Sequence, residues 1–195
     1  MVPVAKKCVL KYIISGSEGL KMQTKKVIVL PYDKAWKNDF EKIRNEIQAA
    51  AGHLITGIEH IGSTSVEGMS AKPCIDIDVI IRDYFVFDAV VRALHAIGYI
   101  HEGNLGIKDR EAFKYVDKPH LRSHHLYVCP QDSAELHRHI VFRDFLRSNP
   151  EAVSKYSRVK EKAASLFPDD INQYIRCKTP CIEELYALCG LIQTD

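Results

Sequence analysis

The sequence has little excess charge and no long hydrophobic run. Its 195 residues carry a formal net charge of +2, whereas a protein that binds nucleic acid over a large surface usually has a strong basic excess. No stretch approaches the roughly 20 apolar residues of a membrane-spanning helix. We therefore expect neither a large nucleic-acid interface nor a membrane span, while a local site for an anionic ligand remains open.

The six cysteines form no C-x-x-C pair. Cys177 and Cys181 lie four residues apart without a matching second pair, so a zinc knuckle is not expected. The apolar run from Cys8 to Ile14 is interrupted by Lys11, and no A-x-A cleavage site follows it, so it does not resemble a secretory signal. We expect a cytoplasmic protein whose thiols stay reduced.

Hydrophobic patterning predicts an α/β front followed by a helical tail. Apolar segments predict strands at 27–30, 58–61, 74–81, 113–116 and 124–129. Helical spacing and capping residues predict helices from Asp33 to Gly52 and at 84–97, 132–147, 151–166 and 180–191, the last with Pro180 in its first turn. We expect residues 1–25 to be an N-terminal extension, with 1–21 dispensable for folding, and residues 26–190 to form one domain. The alternative for the first segment is an extra edge strand from Cys8 to Ile14.

Asp76 and Asp78 are the most informative pair of residues. Alternation along a strand places Ile75 and Ile77 on one face and both aspartates on the other. Two carboxylates side by side on a hydrophobic strand are unfavourable, because like charges repel and burial opposes ionisation. A divalent cation relieves both problems, and oxygen-only ligands favour Mg²⁺ or Mn²⁺. The alternative is a pair of solvent-facing aspartates, or partners for nearby arginines.

A hydroxyl-rich turn, Gly62-Ser63-Thr64-Ser65, precedes that strand. Glycine lets a phosphate approach the backbone, and exposed N–H groups together with hydroxyls can hold it. An ordinary loop of the same composition is the commoner case. The turn is more informative together with the Asp76-x-Asp78 strand that follows it, because the two features predict a phosphate site next to a metal site.

The residues around both features resemble the GrpB family, which belongs to the nucleotidyltransferase superfamily. The segment EHIGSTSVEG, residues 59–68, is followed by AKPCIDID, residues 71–78. Further matches in order are Y-D-x-x-W from Tyr32, L-x-x-x-G-Y from Leu94, R-x-H-H-L from Arg122 and F-R-D-x-L-R-x-N-P from Phe142. The resemblance covers about residues 26 to 190. It implies a mixed sheet flanked by helices, a Gly-Ser turn for nucleotide phosphates and a D-x-D metal pair.

Members of that superfamily usually place a third carboxylate on a later strand, where it binds metal or activates the acceptor hydroxyl. The matching strand here contains His124, His125 and Tyr127 but no acid. We predict that His125 lies on the strand next to Asp76 and Asp78 and either binds metal or accepts a proton, with His124 taking its place if the register differs by one residue. A purely structural role for both histidines stays open.

Basic residues can complete an anion site beside the carboxylates. We favour Lys72, next to the D-x-D strand, and Arg143, within a family motif; the other candidates are Arg110, Arg122, Arg138, Lys160 and Lys178. The resulting prediction is a metal-dependent transfer of a nucleotidyl or phosphoryl group from a nucleoside triphosphate to a small-molecule acceptor. The alternatives are a nucleotide-binding module without catalysis and a metallohydrolase that uses Asp76, Asp78, His124 and His125.

Overall fold

The structure is a computed structural model that describes residues 26–192. The strands in this range are β1 (Gly57–Ile61), β2 (Ile75–Ile81), β3 (Tyr99–Gly103), β4 (Glu111–Tyr115) and β5 (His124–Pro130). The helices are α1 (Ala35–Ala51), α2 (Phe87–Ala96), α3 (Ala134–Ser148), α4 (Pro150–Leu166) and α5 (Ile171–Leu188). The N-terminal extension and its dispensability lie outside the described residues and stay predictions.

The five strands form one mixed sheet in the order β1-β2-β5-β4-β3. The central strands β2 and β5 run parallel, while β1, β4 and β3 add antiparallel to them. Parallel neighbours require a long crossover connection, and residues 82–123 provide it through α2, β3 and β4. The predicted mixed sheet, flanked by helices and followed by a helical C-terminal part, is confirmed.

One face of the sheet forms the main core. Ile75, Ile77, Val79 and Ile81 of β2 are fully buried there. Helix α1 packs on this face through its apolar stripe, Trp36, Phe40, Ile43 and Ile47. The stripe has the three- and four-residue spacing of an amphipathic helix. Burying each such side chain stabilises the fold by about 1.5–3 kcal/mol.

The helical tail has its own core beside the other face. Val66 and Met69, just after the Gly62 turn, pack with residues of α3, α4 and α5, which include Leu146, Tyr156 and Leu185. Helix α3 also contacts β1 and β5. The tail therefore covers part of the sheet face that carries the two aspartates.

Three predicted elements need correction. Residues 27–30 form no strand, and Leu30 makes only an isolated bridge with Ala71. Strand β3 was missed because it is a short edge strand whose exposed positions, Ile100 and Glu102, do not give a consistent alternation of apolar and polar residues. The last helix begins at Ile171 and contains Pro180 in its interior. The signal for its true start is Asp170, whose carboxylate accepts a hydrogen bond from the amide of Gln173 (3.0 Å).

No helix within residues 26–192 combines the length and the apolar character that crossing a membrane requires.

Candidate functional site

A cavity of about 420 Å³ opens between the polar face of β2 and β5, the Gly62 turn and the helices α4 and α5. Its volume lies within the range of roughly 300–1,000 Å³ typical of ligand pockets. The polar and aromatic side chains that line it include Ser63, Lys72, Cys74, Asp76, Arg110, His125, Tyr127, Lys160, Tyr174 and Lys178.

Asp76 and His125 meet across the parallel strands. They are direct partners in the β2–β5 register, and the Nδ1 of His125 donates a hydrogen bond to Oδ1 of Asp76 (2.8 Å). Burial alone would raise the pKa of Asp76, but the hydrogen bond and charge of His125, together with His139 and Lys72, lower it overall. The same hydrogen bond, with a contribution from Cys74, raises the pKa of His125 well above 6.5. The pair is therefore a carboxylate next to an imidazolium at neutral pH.

The Gly62 turn lies directly against Asp76. Gly62 has a φ of 70°, and a Cβ at this position would approach Oδ2 of Asp76 to 2.2 Å. Only glycine satisfies both constraints without strain. Ser63 and Asp76 line the main cavity, and both also line a smaller neighbouring hollow together with Gly62.

The other two hydroxyls of the turn hold its conformation. The Thr64 side chain lines the cavity, yet its hydroxyl is hydrogen-bonded to His60 (3.0 Å) and to the carbonyl of Cys74 (3.4 Å). Burial lowers the pKa of His60 to about 4, so this imidazole is neutral at pH 7. Ser65 donates to the carbonyl of Gly62 (2.6 Å) and faces a different hollow. Of the predicted phosphate-binding hydroxyls, Ser63 alone combines a cavity position with a lysine partner.

Asp78 departs from its predicted position. It is fully buried, and its Oδ2 accepts a hydrogen bond from Nδ1 of His139 on α3 (2.7 Å). Its Oδ1 is buried without a hydrogen-bond partner among residues 26–192. The prediction that both carboxylates face an open pocket is therefore wrong for Asp78, because α3 crosses the sheet at this level.

His124 points to the opposite side of the sheet from His125. It is buried, stacks on Tyr115 with ring centroids 4.2 Å apart, and its Nε2 lies 2.8 Å from the hydroxyl of Tyr99. Its Nδ1 donates to the carbonyl of Arg122 (2.7 Å), so the neutral ring accepts from Tyr99. Burial lowers the pKa of His124. The structure does not bring this predicted site residue to the cavity.

The two basic residues that the sequence favoured, Lys72 and Arg143, differ in whether their charge is available to a ligand. Lys72 is exposed at the rim of the cavity. Arg143 lines a smaller neighbouring hollow, but its guanidinium forms ion pairs with Glu59 (2.5 Å) and Asp144 (2.8 Å). Its charge is therefore largely compensated within the protein.

Two lysines that the sequence analysis ranked lower occupy the cavity. Lys160 of α4 is buried, and its Nζ donates a hydrogen bond to Oγ of Ser63 (2.9 Å). Lys178 of α5 lines the same cavity. The periodicity of α4 contains a signal for Lys160, because this residue continues the buried stripe formed by Tyr156 and Ala163. A lysine on the inward stripe of a helix is a candidate ligand-binding residue.

The protein environment destabilises the charged form of both lysines. Burial and the neighbouring Lys178 lower the pKa of Lys160 well below 10.5. Burial and the charge of Lys72 lower the pKa of Lys178 to about 8. Charged groups held at such a cost favour a negatively charged ligand, because its charge replaces the lost hydration.

The smaller hollow, of about 190 Å³, adjoins the main cavity and shares Ser63, Asp76 and Lys178 with it. Ile175 is also shared, and the remaining walls, mostly from the helical tail, combine apolar and aromatic side chains with Arg138, His139 and Arg143; the former are Ile61, Phe142, Leu146, Tyr156, Ile182 and Tyr186. Asp76 thus lines both the main cavity and the smaller hollow.

A possible metal-ligating group lies at the same carboxylate. Ligand atoms of Cys74, Asp76 and His125 all fall within 4.8 Å of one another. Asp76 is the one residue that this group shares with the predicted D-x-D pair.

The sequence profile of the GrpB protein family matches residues 26–188. The chain belongs to the GrpB family. A GrpB relative, the glutamate-rich protein GrpB of Alkalihalophilus pseudofirmus, is 30% identical over 82% of this chain and 93% of its own length. YqkA of Bacillus subtilis is 33% identical over 87% of this chain, which spans about half of that protein (51%).

A solved GrpB structure agrees with the fold. The crystal structure of the conserved protein GrpB from Enterococcus faecalis has a TM-score of 0.68 and 31% identity, over 82% of this chain and 99% of that one. Structures of the Cid1 poly(U) polymerase align at a TM-score of 0.48 and 9% identity, a level that assigns no activity.

Proposed function

We propose that this GrpB-family protein is a metal-dependent transferase that moves a nucleotidyl or phosphoryl group from a nucleoside triphosphate to a small-molecule acceptor. The observation that carries the proposal is the meeting of Ser63, Lys160 and Lys178 with Asp76 in one cavity. A cytoplasmic location, with residues 26–190 acting as one domain, forms part of the proposal.

The phosphates of the nucleotide would bind on the lysine side of the cavity. Lys160 already donates to Ser63 and Lys178 lines the same wall, so a polyphosphate there replaces the solvation that both ammonium groups lack. Lys72 at the rim adds a third positive charge. Positively charged groups of this kind also stabilise the charge that develops during phosphoryl transfer.

The Mg²⁺ or Mn²⁺ in this proposal would arrive with the nucleotide. Magnesium is commonly held by one or two carboxylates together with substrate phosphates, so Asp76 fits as the protein ligand that faces the cavity. Asp78 fits less well because it is fully buried and does not line the cavity. When bound, the ion would neutralise charge on the phosphates.

His125 would act as a hydrogen-bond donor toward the ligand or Asp76. Its raised pKa keeps it protonated at neutral pH while it contacts Asp76. The prediction that it accepts a proton assumed an ordinary pKa of ~6.5, and that assumption does not hold for the geometry described. The acceptor would sit in the smaller hollow, since Asp76 lines both cavities.

One observation favours a second candidate, a nucleotide-binding module without turnover. Strand β5 places His125 and Tyr127 opposite Asp76 and Asp78, where a third carboxylate would be expected in an active transferase. The metallohydrolase alternative loses support, because His124 lies on the other face of the sheet.

Thermal shift with ATP, GTP, CTP and UTP, each with and without Mg²⁺, tests the binding step. A ligand of the native state raises the melting temperature according to RT ln(1 + [L]/Kd). We expect at least one nucleotide to stabilise the protein, and Lys178→Gln to weaken its binding about tenfold or more. The matched control is Lys162→Gln, an exposed lysine on α4, which should bind as the unmodified chain does.

Product release then separates the two candidates. Incubation with the stabilising nucleotide and a panel of small hydroxyl and amine acceptors should release pyrophosphate or phosphate. Binding without release under all conditions supports the module without turnover. The absence of stabilisation by any nucleotide would contradict both.

A further inference from the structure

We propose that Cys74, Asp76 and His125 form a binding site for one divalent ion of the borderline class, for which Zn²⁺ is the representative. This site differs from the oxygen-only D-x-D pair that the family resemblance implies. It uses Asp76 but replaces the buried Asp78 with the Cys74 thiolate and the neutral His125 imidazole, so the incoming ion displaces the thiol proton of Cys74 and the proton that His125 donates to Asp76 in the metal-free protein.

The backbone places all three ligands on one face of the sheet. Cys74 comes directly before β2 and Asp76 is the second residue of that strand, and both side chains line the main cavity. His125 is the direct partner of Asp76 in β5. The amide of Ile75 donates to the carbonyl of Ser123 (2.9 Å), which fixes the strand entrance at Cys74.

The distances are close to those of a metal centre. The Sγ of Cys74 lies 3.8 Å from Nδ1 and 3.9 Å from Nε2 of His125, and Oδ1 of Asp76 lies 2.8 Å from Nδ1. For tetrahedral zinc with ordinary bond lengths, we expect sulfur–nitrogen edges of ~3.5 Å and nitrogen–oxygen edges of ~3.3 Å. The sulfur–nitrogen and nitrogen–oxygen distances thus each lie within about half an ångström of the zinc values, and the remaining sulfur–oxygen distance is within 4.8 Å.

The donor set selects the class of ion. One sulfur, one nitrogen and one oxygen suit Zn²⁺, Fe²⁺ or Co²⁺, whereas Mg²⁺ prefers oxygen alone. The thiolate and the carboxylate together carry two negative charges, which match the charge of the ion. The hydroxyl of Ser123 also donates to the sulfur of Cys74 (3.8 Å), an outer contact of the kind that orients metal ligands.

The site leaves a coordination position open to the cavity. Three protein ligands plus one open position is the arrangement of catalytic rather than structural zinc sites. The side chain of His125 is 55% exposed, and all three ligands line the main cavity. A water molecule or a phosphate oxygen can therefore take the fourth place.

Cobalt titration of the full chain without nucleotide tests the inference. Co²⁺ substitutes for Zn²⁺, and a thiolate ligand gives a sulfur-to-cobalt charge-transfer absorption. We expect one equivalent of Co²⁺ to produce this absorption and Zn²⁺ to displace it. Cys74→Ser should abolish the absorption, while His125→Gln should weaken binding at least about tenfold.

Matched variants separate ligation from folding. Cys189→Ser removes a half-buried thiol whose Sγ donates to the carbonyl of Tyr186, and it should leave the cobalt spectrum unchanged. Circular dichroism and the melting temperature without metal verify that Cys74→Ser is folded, and Cys74→Ala serves as a second variant. No saturable cobalt absorption, or an unchanged one in a folded Cys74 variant, would overturn the inference.

The test is independent of the proposed transferase activity. Cobalt binding that persists when no nucleotide binds would contradict the transferase alone. Nucleotide binding with Mg²⁺ in a protein that shows no cobalt absorption would contradict the metal site alone.

Discussion

On one face of β2, Ile75, Ile77, Val79 and Ile81 are fully buried against α1 and α2. On the other face, Asp76 opens to a cavity and Asp78 is sealed beneath His139. The same alternation of side chains generates both faces. They differ in how they are completed, because any apolar surface can cover the first whereas the second needs particular partners.

Those partners come from far along the chain. His139 reaches Asp78 across 61 residues, and Lys160 reaches Ser63 across 97. A buried carboxylate or ammonium group is tolerated only when a hydrogen bond or opposite charge meets it. The polar face therefore depends on the docking of α3, α4 and α5, which local patterning does not specify.

Truncating the apolar face should have the largest effect on stability. We expect Ile77→Ala to lower the free energy of unfolding by about 2–5 kcal/mol, because it leaves a cavity in a fully buried position. Asp76→Asn should cost less than about 1 kcal/mol, because its partner His125 is largely exposed. Denaturant unfolding measures both losses, and a larger cost for Asp76→Asn would break the distinction between the two faces.

For ligand binding we expect the reverse order, with a larger effect of Asp76→Asn than of Ile77→Ala. Ile77→Ala should keep the nucleotide-induced rise in melting temperature, since Ile77 does not face the cavity, whereas Asp76→Asn should lose the part that depends on Mg²⁺. Equal loss in both variants would mean that the cavity requires the whole sheet rather than Asp76.

The sequence alone predicted the first face almost completely. Alternation along β2 and helical spacing in α1 identified the core positions, because hydrophobic burial depends on periodicity and not on the partner. It also identified the Gly62 turn and the neighbouring position of His125. It did not predict that Asp78 would be buried, since nothing local to β2 indicates where α3 crosses.

The lysines illustrate the same limit. Lys72 and Arg143 were favoured because they stand in recognisable motifs, yet Arg143 is bound to Glu59 and Asp144. Lys160 and Lys178 reach the cavity only because α4 and α5 fold back over the Gly62 turn. Sequence motifs therefore indicated the residues of the sheet, and tertiary packing supplied those of the helices.

The buried carboxylate of Asp78 provides a second test of how the polar face of β2 is stabilised. We expect His139→Ala to lower the free energy of unfolding by about 2–3 kcal/mol, because it leaves the buried charge of Asp78 without its donor. Adding Asp78→Asn should recover part of this loss, since an amide carries no charge. A double variant less stable than His139→Ala alone would contradict this account.

Gly62→Ala should produce a smaller but more selective effect. Gly62 combines a φ of 70° with a ψ of −174°, a region that essentially only glycine occupies, so alanine costs about 1–3 kcal/mol there. The added Cβ must also displace the Asp76 carboxylate. We expect a modest fall in melting temperature together with weaker nucleotide and metal binding. Gly68→Ala is the matched control, because Gly68 also has a positive φ but has no atom within 4 Å of its Cβ position. Equal binding losses in both variants would mean that strain alone is responsible.

Lys178→Met should change stability in the opposite direction from these variants. Burial lowers the pKa of Lys178 to about 8, so its charge opposes folding at neutral pH. Removing the charge should raise the free energy of unfolding by about 1 kcal/mol after allowance for partial exposure, or the melting temperature by roughly 2–4 °C. Thermal unfolding without ligand measures this, and a lower melting temperature would show that the side chain serves the fold.

The smallest expected effect is the pH dependence of anion binding, with inorganic tripolyphosphate as the probe. Lys178 binds an anion strongly only when it is protonated, and a bound polyphosphate raises its pKa above the value of about 8 in the free protein. Between those two values, binding takes up a proton, so affinity must fall as pH rises. We expect a decrease of about fivefold from about pH 7 to about pH 9, measured by calorimetry. Lys178→Arg keeps its charge throughout this range, so it should bind with a weaker pH dependence. An identical decline in the arginine variant would assign the titration to another group, for which Lys160 is the nearest candidate because burial lowers its pKa as well.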